Sequence, residues 1–354
     1  MASKRAVKIS IDRAALQHNF QLVKKFASGS KIMPVIKANA YGHGMLQVAD
    51  TLQQADGFAV AQLTEAVMLR ENGVEKPITV FQGFTDTFEL EQLIKYKLRP
   101  ALTQTWQIDM LESVEKMHST PIDVWLKINT GMGRLGIQPD EVKKSWLRLQ
   151  QIAGIEQVGV MMHFANADDP SHLSNTQQID SFQQLTHNLQ AQSSVSNSGA
   201  IISQLYLQQD WVRPGIMLYG SSPLINRTAQ ELGLQAVMSV EAKLIAVNHL
   251  SKGQHVGYGD NWTCPENMPV GIVNIGYGDG YPRHAQTGTP VAVNEQITQL
   301  IGRVSMDSIA VDLRGIKTRC GDSVELWGKQ IPVDDVALSS STISYELLCN
   351  VGRA

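Results

Sequence analysis

Between residues 31 and 220, short apolar runs alternate with stretches of helical period. The runs predict strands at Ile32–Ile36, Gly57–Val60, Ile78–Gln82, Leu98–Leu102, Ile122–Ile128, Gln157–Phe164, Ser194–Val195 and Val212–Tyr219. Helical faces lie between them. Asp12 is placed to cap a helix carrying Leu16, Phe20 and Val23. Asp86-Thr-Phe-Glu89 reads as a capping box, and Pro139 stands just inside a helix with Val142, Trp146 and Leu149 on one face. A further face is formed by Ile179, Phe182, Leu185 and Leu189. Such alternation predicts a parallel α/β sheet. Closure into a (β/α)₈ barrel is favoured, since that fold needs eight strands in about 200–250 residues. Periodicity alone does not choose between a closed and an open sheet.

From about residue 226 the pattern changes. Val240–Val247, Pro269–Ile275, Pro290–Val293, Gln299–Val304, Ile309–Leu313 and Ser323–Trp327 are strand-like runs separated by Gly, Asn, Asp and Pro. The expected organisation is a barrel over 1–225 followed by a mostly-β domain over 226–354. The length of 354 residues agrees with roughly two domains of about 150 each.

Composition narrows the function classes. Lys and Arg total 30 against 33 Asp and Glu, a net charge of -3, which argues against a polybasic nucleic-acid binder. With 43% hydrophobic residues the chain is not of the disordered class. The three cysteines, Cys264, Cys320 and Cys349, show no metal or redox spacing. MASKRAVKISIDRAAL has no apolar segment of a secretory signal, and no run approaches the ~20 apolar residues of a membrane span. These features predict a soluble cytoplasmic protein with no bound metal.

The sharpest local feature is Met33-Pro-Val-Ile-Lys-Ala-Asn-Ala-Tyr-Gly-His-Gly44. A lysine directly after a buried strand must be paired, desolvated or solvated at the strand mouth. A desolvated one becomes a nucleophilic amine able to form a Schiff base. An arbitrary strand-end lysine is most often simply solvated, but Tyr41, His43 and two glycines bring polar groups and permissive backbone to the same spot. Other polar residues recur at strand ends: Lys127, Arg134 in Thr130-Gly-Met-Gly-Arg-Leu-Gly136, His163, Asn197-Ser198 and Arg213. Each alone reads as a satisfied polar residue; together on one barrel face they read as a site. Arginines beside Lys37 would lower its pKa. In the second domain, Gly257-Tyr-Gly259, Ile275-Gly-Tyr-Gly-Asp-Gly-Tyr-Pro282 and Gly302-Arg-Val-Ser-Met-Asp307 read physically as ordinary tight turns.

Taken together and in this order, these segments, with Arg-Pro-Gly-Ile (213–216) and Thr-Ile-Ser-Tyr-Glu (342–346), resemble the alanine racemase family over nearly the whole chain. The resemblance implies a pyridoxal 5'-phosphate cofactor, interconversion of L- and D-alanine for peptidoglycan synthesis, and a homodimer with composite active sites. Lys37 would bear the cofactor and act as base on one face of Cα, and Tyr258 of the partner subunit would serve the other. Tyr41, Ser198, Gly215 and Ile216 would bind the phosphate, Arg213 the ring nitrogen, and Arg134 the phenolic oxygen and substrate carboxylate. Met306 of the partner subunit would also meet the carboxylate, and His163 with Arg213 would assist Tyr258 through a hydrogen-bonded chain. Lys127 matches a lysine often carbamylated, while Asn197, Tyr277 and Asp307 are expected in support.

Two departures stand out. Asn129 occupies a position commonly Asp in the family, and no residue is matched to the phosphate-contacting tyrosine of the relatives' C-terminal tail, which predicts weaker cofactor retention. Alternatives are a broad-specificity racemase, a decarboxylase on the same architecture, or a non-catalytic pyridoxal-phosphate carrier. Lys127 speaks against the first, Arg213 in place of an acid against the second, and the whole β domain against the third.

Overall fold

The computed structural model describes residues 7–114 and 121–351. The basic start of the chain, residues 1–6, and residues 352–354 lie outside that description. The eight-stranded sheet is parallel throughout. Its strands are β2 (Lys31–Ile32), β3 (Phe58–Val60), β4 (Ile78–Val80), β5 (Arg99–Leu102), β6 (Ile122–Lys127), β7 (Ile155–Met161), β8 (Ser193–Ser194) and β9 (Trp211–Val212). Their order is β2-β9-β8-β7-β6-β5-β4-β3, and a parallel bridge between Val35 and Ala59 joins the two ends. The sheet is therefore a closed (β/α)₈ barrel. Inside it, Trp125 donates from Nε1 to Thr79 at 3.1 Å, which satisfies the indole that fills the interior.

The helices begin where the sequence places their caps. Asp12 accepts from the amides of Ala14 and Ala15, both at 3.0 Å, at the start of α1 (Arg13–Phe26). Asp86 accepts from Glu89 N at 2.8 Å before α5 (Thr87–Lys95), but the Glu89 carboxylate reaches back to Thr85 N rather than to the cap itself. The expected strand over Val212–Tyr219 stops after Val212. Pro214 has no amide to donate to the ladder, and Ile216–Tyr219 winds into a 3₁₀ turn.

The second sheet is antiparallel, in the order β1-β10-β11-β14-β13-β12-β15. Its strands are β1 (Lys8–Ile11), β10 (Met238–Leu250), β11 (Met268–Val273), β12 (Pro290–Val293), β13 (Gln296–Ile301), β14 (Ile309–Asp312) and β15 (Ser323–Trp327). Because β10 pairs with both β11 and β15, six strands close on themselves and β1 adds at the edge. The chain thus contributes its first strand to the C-terminal sheet before entering the barrel. Helices α10 (Val333–Ser339) and α11 (Ser344–Asn350) return to the barrel. There Asp334 accepts from Ser221 Oγ at 2.6 Å and Ser222 N at 3.1 Å, and one apolar core runs through both units. No helix among the described residues is long and apolar enough to cross a membrane.

Candidate active site

Parallel strands deliver their C-terminal ends to one face of a barrel. Lys37 opens the turn α2 (Lys37–Tyr41) just past the Val35 bridge, and Lys127 is the last residue of β6. His163 follows β7, and Arg213 follows β9 directly. Asn197 caps the short helix α9 (Ser198–Ile202) by accepting from Ala200 N at 3.1 Å. These residues, with Tyr41, Arg134, Ser198, Gly215 and Ile216, line one cavity of about 490 Å³. Their convergence follows from topology.

Among the described residues, the cavity wall carries Lys37, Lys127, Arg134 and Arg213 and no carboxylate. Lys37 is held below the usual lysine range, chiefly by burial and then by Arg134, with Glu65 opposing. Burial and the cations Arg213, Arg134 and Lys37 push Lys127 down to about 8. Arg213 is almost fully enclosed, and burial lowers it to about 10, so it remains a cation at neutral pH. Its guanidinium donates to Ser194 Oγ and Met162 O, both at 2.6 Å, and to Val195 O at 3.2 Å. The same Nη2 lies 3.4 Å from His163 Nδ1. Burial, then Arg213, keeps His163 far below the ordinary histidine range, so its Nδ1 is a neutral acceptor.

One corner is built from small polar groups. Ser198 Oγ accepts from Gly215 N at 2.8 Å and lies 3.5 Å from Met217 N. A Cβ on Gly215 would stand 2.7 Å from the Tyr41 hydroxyl, so only glycine lets the two approach. Tyr41 is buried between two further rings, Tyr219 at 4.7 Å and Tyr345 at 5.8 Å.

Tyr345 corrects one reading of the sequence. A C-terminal tyrosine does reach this corner, carried by α11, and it lines the cavity beside Tyr41. Burial raises its hydroxyl to about 12, so it is a neutral donor. Gln178 was equally unforeseen. Buried on α8 (Leu173–Thr186), it donates to Thr130 Oγ1 at 3.2 Å and His163 O at 3.0 Å, tying the Arg134 loop to the end of β7. Asn129 is a turn former: its Oδ1 accepts from Gly133 N at 3.0 Å and lies 3.3 Å from Gly131 N.

Tyr258, Tyr277, Met306 and Asp307 do not line this cavity. They lie elsewhere, on the β domain. Met306 O accepts from Gly278 N at 2.9 Å, Ser305 O from Tyr277 N at 3.1 Å, and Gly257 and Gly259 pack on Arg303. Tyr258 is 68% exposed and Met306 55%. A second cavity, about 460 Å³, opens at the opposite end of the barrel, where Arg99 pairs with Asp123 and Arg70 donates to the Tyr96 carbonyl.

Two family models match the chain: "Alanine racemase, N-terminal domain" over residues 11–223 and "Alanine racemase, C-terminal domain" over 237–354. The alanine racemase of Alcanivorax borkumensis is 44% identical over 348 residues, covering 98% of this chain and 97% of its own. That of Thioalkalivibrio sulfidiphilus is 45% identical over 355 residues, covering 99% and 97%. Among solved structures, the biosynthetic alanine racemase from Pseudomonas aeruginosa superposes with a TM-score of 0.95 at 39% identity, covering 99% of this chain and 98% of that one. The alanine racemase from Acinetobacter baumannii gives 0.94 at 39% identity, with coverage of 99% and 98%.

Proposed function

The chain belongs to the alanine racemase family, and from that premise we propose that it interconverts L- and D-alanine using pyridoxal 5'-phosphate held at Lys37. The observation that carries this reading is the gathering of Lys37, Arg134, Arg213 and Ser198 around one cavity with no acid in its wall. Such a wall fits an anionic, phosphate-bearing ligand. When bound, the cofactor supplies electron withdrawal at the substrate α-carbon.

The residues around it have separable tasks. Lys37 would hold the cofactor covalently, and Tyr41, Ser198, Gly215, Ile216 and Tyr345 would surround its phosphate. Arg213 would face the ring nitrogen, and an arginine does not readily give up its proton. That nitrogen would stay unprotonated, which moderates the withdrawal and limits side reactions. Arg134 would hold the phenolic oxygen and the substrate carboxylate. Racemisation takes a proton from one face of Cα and returns one to the other, so two groups must flank it. Lys37 Nζ would serve one face. Tyr258 Oη of the partner subunit would serve the other, with Met306 of that subunit near the carboxylate. The exposure of Tyr258 and Met306, and their absence from the cavity of their own chain, support that division. The biological product would be D-alanine for peptidoglycan, made in the cytoplasm.

The direct test is covalent fixation. Borohydride reduction followed by peptide mapping should place the cofactor on Lys37; a reduced cofactor on any other lysine would overturn the assignment. Incubation with single amino acids in D₂O should show α-proton exchange and racemisation of alanine. Exchange with no change in chirality would reject racemase chemistry.

Lys127 carries a pH prediction. Its pKa falls from 10.5 to about 8 on folding, so the unfolded chain binds the extra proton between those values. Without carbon dioxide the buried ammonium costs stability, fully below pH 8 and progressively less as pH rises towards 10.5. Lys127→Met should stabilise the protein by about 3 kcal/mol at pH 7 in carbonate-free urea unfolding. Its neutral fraction would also attack carbon dioxide, forming an N–C bond, losing a proton and leaving a carbamate beside Arg134 and Arg213. Bicarbonate should then stabilise the native protein and leave Lys127→Met unmoved. An equal response of the two would refute carbamylation.

A further inference from the structure

The segment after Lys37 is built against its own backbone preference. Ala38, Asn39, Ala40 and Tyr41 have φ of 53°, 53°, 54° and 53°, one left-handed turn made entirely of non-glycine residues. In each, Cβ crowds the following carbonyl, so the turn does not persist without external support. Three side chains supply it. Asn39 Oδ1 accepts from Met45 N at 2.8 Å. His43, buried and with its pKa lowered to about 4, keeps Nδ1 against Tyr41 O at 2.9 Å. The third is Glu65, on α4 (Leu63–Glu71), whose Oε1 accepts from Ala38 N at 2.6 Å. Its other oxygen accepts from Ala61 N at 2.9 Å and Gln62 N at 3.1 Å.

We propose that Glu65 is a positioning residue for Lys37: its carboxylate ties the N-terminus of α4 to the first amide of the left-handed turn and so aims the lysine into the cavity. This rests on Lys37 being the cofactor-bearing lysine. Both oxygens of Glu65 face N–H donors. Glutamine, in either orientation, would set an NH₂ against one of them, and aspartate is a methylene too short to span both partners. The charge matters as well, because the charged residues described in the cavity wall are all cations and Glu65 opposes the lowering of the Lys37 pKa.

The test compares Glu65→Gln with native protein and with Asp86→Ala, which removes the cap of the neighbouring helix α5 and touches nothing in the site. Fluorescence titration of each apoprotein with pyridoxal phosphate should show affinity weakened roughly tenfold in Glu65→Gln, the scale of one unsatisfied buried donor, and unchanged in Asp86→Ala. In the reconstituted enzyme, kcat should fall about tenfold to a hundredfold, as expected for a displaced reacting group, with KM for alanine within about twofold. Adding Ala38→Gly to Glu65→Gln should restore part of the affinity, because glycine adopts positive φ freely although its amide stays unpaired. A residue that merely capped α4 would not be rescued by glycine at 38. Native affinity and turnover in Glu65→Gln, or no rescue by Ala38→Gly, would overturn the positioning role. If native apoprotein does not take up the cofactor at Lys37, the proposed function itself falls.

Discussion

Tyr258→Phe should lower racemisation by about 10²–10⁴-fold, the usual contribution of one positioned acid–base group, while the protein keeps its cofactor. The substitution deletes a single oxygen. Tyr258 is 68% exposed in its own chain, so fold and stability should change little. A phenol is a weak base at neutral pH and needs cationic support. In the proposed assembly that support is the Arg213–His163 pair, which lies 3.4 Å apart at the opposing barrel mouth. Lys37 would still serve its face of Cα. One enantiomer should therefore exchange its α-proton with D₂O far faster than the other. Equal residual exchange from L- and D-alanine would show that Tyr258 is not a face-specific base.

Much of the barrel was legible because buried parallel strands announce themselves as apolar runs, and topology then carries their polar end residues to one face. Lys37, Lys127, His163 and Arg213 each stand at or just past the end of a strand, and they meet without any local signal that says so. Where reading failed, the cause was mostly non-local. Ala-Asn-Ala-Tyr holds no glycine at the positions that take positive φ, so local propensity argues against the turn that forms. What accompanies it is support from Asn39, from His43 and from a carboxylate on another helix. Tyr345 sits in Thr-Ile-Ser-Tyr, an unremarkable helix start, and reaches Tyr41 only because α11 packs back on the barrel. The strand expected over Val212–Tyr219 ended early because Pro214 offers no amide to the ladder. Tyr258, Tyr277 and Met306 pose the opposite difficulty. Physically they are turn residues, and only the family resemblance marks them for chemistry.

Mixing two inactive variants should return activity. A Lys37→Ala chain would lack the proposed cofactor lysine, and a Tyr258→Phe chain the proposed second base. If each site combines the barrel mouth of one protomer with the β domain of its partner, a two-fold dimer contains two such sites. In a mixed dimer both lesions fall in one of them, and the other is assembled from two intact halves. With equal amounts and free subunit exchange, about half the dimers are mixed, so roughly a quarter of native activity should appear. The exposure of Tyr258 and Met306, away from the cavity that holds Lys37, is what makes this outcome expected. Were Tyr258 to act within its own chain, every site in every dimer would carry a lesion and mixing would restore nothing. Subunit exchange is followed independently by mass spectrometry of differently tagged chains. Exchange without recovery of activity would reject the shared site and, with it, the role given to Tyr258 of the partner subunit.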